Sequence, residues 1–197
     1  MQKELRLMKR DEAWQIVCDY VKSESLRKHM LAVEACMRAY ARHYGEDEEA
    51  WAALGVLHDF DFEIHPTLDK HPQDGAPILR ARGVPEELIY SILSHADHLQ
   101  ETHPRKTLRE KALVAVDELS GLCIAVALVR PSRSIFDVDL AAVKSKWKNK
   151  GFARAVNRQE IEHHTEVLGI PRDEHITRCV KALQDHADVL GIGGNPS

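Results

Sequence analysis

The chain has 197 residues, of which 44% are hydrophobic and 29% charged, and its formal net charge is -4. That length suits one domain with its own core, and the balance of apolar and charged residues excludes a disordered chain. The negative total excludes a global basic field for a nucleic-acid polymer, so an acidic substrate would need a local patch or a cation to hold it.

Cys18, Cys36, Cys123 and Cys179 show no CxxC spacing and sit among apolar helical neighbours. They read as reduced core residues of a cytoplasmic protein. Met1 to Arg10 contain no apolar h-region, so no secretory signal is expected. The longest apolar run, Gly121 to Val129, is too short to cross a bilayer. Twelve histidines are the unusual total, and only position can say what they do.

In chain order, Asp11 to about Val21 predicts a short helix with Trp14, Val17, Cys18 and Val21 on one stripe. Ser23 or Ser25 caps a long helix that Gly45 stops at Tyr44. His29 lies on its apolar face with Leu26 and Val33, where a lone histidine is more often a satisfied core residue than a ligand. Glu46 to Glu49 open the next helix, which ends at His58-Asp59. An imidazole and a carboxylate side by side can both bind a divalent metal, but helix neighbours diverge, so the ion must sit at the helix end or the pair must serve two ions. From Glu46 to Glu63 there are seven acidic residues and no lysine or arginine, which favours cations there.

His65-Pro66 and His71-Pro72 place both histidines just outside a helix, and the following helix starts between Pro72 and Pro77 and stops at Gly83. Glu86 to His98 predicts a helix whose stripe is Leu88, Ile92, His95 and Leu99, with His95 and His98 one turn apart. Thr107 and Glu110 form a capping box for a helix to Val129. On its apolar face stands Asp117, costly there unless paired or metal-bound, and one turn on is Gly121, which suggests that something approaches the backbone closely. Further helices are expected from Asp137 or Asp139 to Lys150, from Phe152 to Leu168 and from Pro171 to Gly191. Lys144, Lys146, Lys148, Lys150, Arg154 and Arg158 form either a solvated face or a phosphate-attracting rim. The fold expected is all-α, about seven to nine helices, in one domain with a core over residues 20–130 and a helical extension over 131–190.

His29, His58, Asp59, His71, His95 and Asp117 are thus potential ligands on five elements. A histidine, then a His-Asp pair, then a distant aspartate resembles the HD superfamily of metal-dependent phosphohydrolases, and an HD-domain-like bundle is the fold this implies. The run from His71 to Leu79 (His-Pro-Gln-Asp-Gly-Ala-Pro-Ile-Leu) is similar to a segment of HD proteins that bind two metals. Ser94 to His98, Val116 to Gly121 and Ala127 to Ser132 also resemble a subgroup described only as predicted HD hydrolases. Where some HD enzymes have a lysine after the pair, this chain has Phe62, flanked by Asp61 and Glu63.

The resemblance implies His29, His58, Asp59 and Asp117 as core ligands for one or two divalent ions (Mn, Fe, Mg, Co, Ni or Zn). His71 and His95 would complete a second site through a bridging Asp59. Asp61 or Glu63 would orient water or leaving group, and His98, Arg130, Arg133 and Lys146 would contact the substrate, a small phosphoester such as a nucleotide or related phosphate. A mixed-valence diiron oxygenase and a metal-dependent nucleotide sensor without turnover are the alternatives. An oligomer is compatible with this reading; a membrane or a nucleic-acid partner is not expected.

Overall fold

The computed structural model describes residues 7–149 and 151–194; Met1 to Arg6 of the expected leaderless N-terminus and Lys150 of the expected basic rim lie outside the described residues. The described residues form ten α-helices: α1 (Arg10–Tyr20), α2 (Glu24–Tyr44), α3 (Glu48–Leu57), α4 (Ala76–Ala81), α5 (Glu86–Ser94), α6 (Leu108–Leu128), α7 (Leu140–Trp147), α8 (Arg158–Leu168), α9 (Arg172–Asp185) and α10 (Ala187–Leu190). One isolated antiparallel bridge, Ser134 to Gly193, is the only strand-like pairing among them.

Local chemistry sets most boundaries. The Ser23 and Asp47 side chains accept from the Leu26 and Ala50 amides to start α2 and α3, and Gly45 ends α2 at φ 70°. Thr107 and Glu110 make the expected capping box of α6. α2 packs against α3, α6 and α9, and α6 also carries α8. The apolar interior between them includes Met37, Tyr40, Leu54, Leu57, Phe60, Leu113 and Leu122, and it continues into α9 through Ile176 and Leu183.

Three boundaries differ from the pattern read in the sequence. The helix expected over Glu86 to His98 stops at Ser94, and a turn with a short 3-10 segment (Asp97–Leu99) follows. Residues 151–156 are turns, and α8 begins only at Arg158, capped by the Asn157 side chain. The last helix breaks at His186 into α9 and α10.

His175 pins α9 to the two long helices. Its Nδ1 accepts from the Tyr40 hydroxyl at 2.6 Å, and its Nε2-H donates to the Ala115 carbonyl at 2.8 Å, with the ring fully buried. Burial holds its pKa down at about 4. An unfolded chain takes up this proton near pH 6.5 and the native one resists until about pH 4, so stability falls as pH drops through that window. The expected loss from this group is on the order of 3 kcal/mol. Urea unfolding at several pH values, compared between wild type and His175→Phe, checks it: the variant should lose less on acidification, and parallel profiles would exclude His175 as the cause.

Candidate metal centre

The end of α3 delivers the central pair. His58 closes the helix and is fully buried, while Asp59 starts the turn that follows. The His58 Nδ1-H donates to the Gly55 carbonyl at 2.8 Å, which fixes the neutral ring as the tautomer with its lone pair on Nε2. That Nε2 is buried with no hydrogen-bond partner. A buried acceptor left bare is costly unless something of opposite character meets it.

Four imidazoles and two carboxylates converge at this point. His29, from α2, places Nε2 at 3.1 Å from the Asp117 carboxylate of α6 and 3.6 Å from Asp59. His58 Nε2 lies 3.5 Å from Asp59 and 3.7 Å from Asp117. On the other side, His71 Nε2 is 3.2 Å and His95 Nε2 3.6 Å from Asp59 Oδ1, and the two rings are 3.2 Å apart at their Nε2 atoms. His95, at the C-terminal end of α5, donates from Nδ1 to the Ile92 carbonyl, and His71 donates from Nδ1 to Asp61 at 2.8 Å. Three rings therefore have their outer nitrogen committed and their Nε2 turned inward, the arrangement in which hydrogen bonds to the far nitrogen orient metal-binding histidines.

Two groups have donor atoms within 4.8 Å of one another: His29, His58 and Asp59, and Asp59, His71 and His95. Ligand atoms about 2.1 Å from a shared ion stand roughly 3.0 to 3.4 Å apart, close to the separations found here. Imidazole nitrogen with carboxylate oxygen suits a hard or borderline divalent ion. Without one, the carboxylates hold protons on the rings. Burial lowers the basicity of His29, but hydrogen bonds to Asp117 and Asp59 outweigh it and carry the pKa to about 10. Burial likewise lowers the basicity of His71, but Asp59 and Asp61 outweigh it and raise the pKa to about 9. His95, where burial dominates, falls to about 4. A divalent cation would take the place of those protons, and the residues present fit it.

Asp61 and Glu63 do not face the site as expected of groups that orient water. Asp61 is fully buried behind His71, with Oδ1 on the ring and Oδ2 unpartnered, and a Cβ on Gly75 would come within 2.6 Å of its carboxylate. Its geometry is that of a positioning residue. The exposed Glu63 accepts from the Lys22 and Ser23 amides, both at 2.9 Å, and braces the start of α2.

The cleft beside the centre has a volume of about 640 Å³ and is lined by His29, Asp59, His71, His95 and Asp117. His98 lines it too, turned towards Gln73 at 3.1 Å because α5 has already ended. Arg130, Arg133 and Lys146 are absent from the lining. Lys146 lies over the Phe152 ring, Lys144 pairs with Asp173 at 2.7 Å, and Arg158 donates to the carbonyls of Trp147, Phe152, Ala153 and Val156. Arg158 thus holds the turn before α8 and Lys144 the α7–α9 contact, which gives these two side chains protein partners where the sequence left a solvated face or a phosphate rim open. A larger shallow groove of about 810 Å³ between α2 and α9 contains none of the six candidate ligands.

Sequence reasoning missed Asp97, Glu118, Glu160 and His164 on the cleft wall. His164 stands on the stripe Ile161, Leu168 of α8, the same signal that singled out His29. Burial first, then Asp117 and Glu160, raise Glu118 to about 7.

A family model for the HD domain matches residues 26–125, about half the chain. The chain belongs to the HD domain family. No curated protein and no solved structure matches it. Within the HD domain segment lie most of α2, α3 to α5, most of α6 and all six converging side chains; Val156, Glu160 and His164 reach the cleft from outside it. Membership carries the chain into a superfamily of metal-dependent phosphohydrolases, and the His and Asp groups of this HD domain are of the kind that could hold the metal.

Proposed function

We propose that the chain is a phosphohydrolase that cleaves a small phosphoester with one or two divalent ions held by His29, His58, Asp59, His71, His95 and Asp117. The observation that carries this reading is the inward convergence of three tautomer-fixed imidazoles on Asp59, with His29 and Asp117 closing the other side. When bound, a divalent ion supplies Lewis acidity towards water and phosphoryl oxygens. The protein's part is positional. The Gly55 and Ile92 carbonyls and the Asp61 carboxylate aim the rings, and Asp59 presents its two oxygens to both groups. Asp61 acts through His71, and Glu63 serves the fold.

His58→Ala and Asp117→Ala are each expected to lower bound metal and to cut phosphate release from p-nitrophenyl phosphate by a factor on the order of 10³. Elemental analysis of the purified proteins and a manganese-supplemented phosphatase assay read both quantities. Unchanged metal content and turnover in the two variants would exclude this site. Oxygen uptake by the iron-loaded protein with no phosphate release would assign the diiron oxygenase reading instead, and tight nucleotide binding without product over hours would assign the sensor.

A further inference from the structure

Gly121 lies inside the 21-residue helix α6, one turn beyond Asp117. Glycine is a poor residue for a helix interior, and it commonly marks a close approach of another backbone. Here no such backbone arrives. A Cβ built on Gly121 meets no atom within 4 Å, whereas one on Gly55, in α3, would strike the α2 backbone at 2.8 Å. Nor is Gly121 on a solvent face, since it is half-buried and lines the cleft. The room that its missing side chain leaves is cleft room, one turn from a candidate metal ligand.

The surroundings limit what fits there. Val114, Val156, Phe62 and Leu68 line the same cleft, the last two 40% and 72% exposed. Among the described lining residues there is no lysine or arginine, and the charged ones beyond the candidate ligands are Asp97, Glu118 and Glu160. Beyond the proposed metal ions, a polyphosphate or a nucleic-acid backbone would meet these carboxylates, of which Asp97 already pairs with Arg105, and no lysine or arginine of the lining. An uncharged apolar group would instead cover exposed leucine and phenylalanine surface and the half-buried Val156. Val156 and Glu160 come from outside the residues 26–125 that the family model covers, so this wall belongs to the chain's own extension.

We infer that the space over Gly121 is the subsite for the organic part of the substrate, and that this part is an uncharged, largely apolar group on a phosphomonoester. The inference rests on the phosphoester reading above. Isothermal titration of the manganese-loaded protein with phenylphosphonate, methylphosphonate and inorganic phosphate tests it. Phenylphosphonate should bind wild type at least about tenfold more tightly than methylphosphonate. In Gly121→Leu, which fills the space with a better helix former, phenylphosphonate should fall to the level of methylphosphonate, with metal content and melting temperature not reduced. Equal affinities in wild type, or a phenyl preference that survives the substitution, overturns the inference and leaves the phosphohydrolase reading standing. Failure of all three anions to bind removes both together.

Discussion

Asp59→Ala is expected to lose metal from both groups and to abolish phosphatase activity, while His71→Ala loses it from one. The reason is the position of a single side chain. Asp59 Oδ1 lies 3.2 to 3.6 Å from the Nε2 atoms of His58, His71 and His95, and Oδ2 lies 3.6 Å from that of His29. With the carboxylate gone, four imidazoles face one another and Asp117 is the carboxylate left beside their inward Nε2 atoms, Asp61 being held on the outer nitrogen of His71, so a cation would enter a site short of negative charge. Removing an outer-shell partner typically weakens metal binding about 10- to 100-fold. Loss of a ligand shared by two groups should exceed that, and Asp61→Asn, which only loosens His71, should fall within it. Metal stoichiometry after dialysis, together with single-turnover phosphate release, distinguishes the three variants. An Asp59→Ala protein that retained two equivalents of metal would exclude Asp59 as the bridge.

The sequence was most legible where a local rule sufficed. Ser23, Gly45, Asp47 and the Thr107-Glu110 pair mark helix ends through their own side chains or positive φ, and the structure places the ends there. Asp117 and His29 stood out because polar groups broke an apolar stripe. The same signal was present at His164 and His175, but spacing cannot say what a buried imidazole meets. His175 meets Tyr40 and the Ala115 carbonyl and belongs to the core; His164 reaches the cleft wall. The run from Ser94 to His98 misled because His95 and His98 have helical spacing, yet the chain turns after Ser94 and sends one ring inward and the other to Gln73. Charge runs were the least informative. Lys144 finds a carboxylate on another helix, and Arg158 gathers the carbonyls of the turn that precedes it, partners that a run of like charges does not encode.

Gly55→Ala is expected to destabilise the fold by about 2 kcal/mol or more and to weaken metal binding with it. The added Cβ would sit 2.8 Å from the Glu34 Cα and 3.0 Å from its amide nitrogen, atoms of the α2 backbone that no rotamer change can move. α2 and α3 must part where they cross. That crossing also holds the buried Glu34 carboxylate, which accepts from Arg10 of α1 at 2.8 Å and from Arg38 at 3.0 Å, so separation loosens a paired charge as well as apolar packing. Alanine's better helix propensity returns roughly 1 kcal/mol, not enough to offset overpacking against main chain. The Gly55 carbonyl is moreover the acceptor that fixes the His58 ring, so a shift of α3 reaches the metal centre within one turn. Gly121→Ala is the matched control, because the same substitution in a helix meets open space there and should be neutral or stabilising. Urea unfolding of the chelator-treated proteins separates the two. A Gly55→Ala chain as stable as Gly121→Ala would mean that this contact does not set the α2–α3 spacing on which His58 depends.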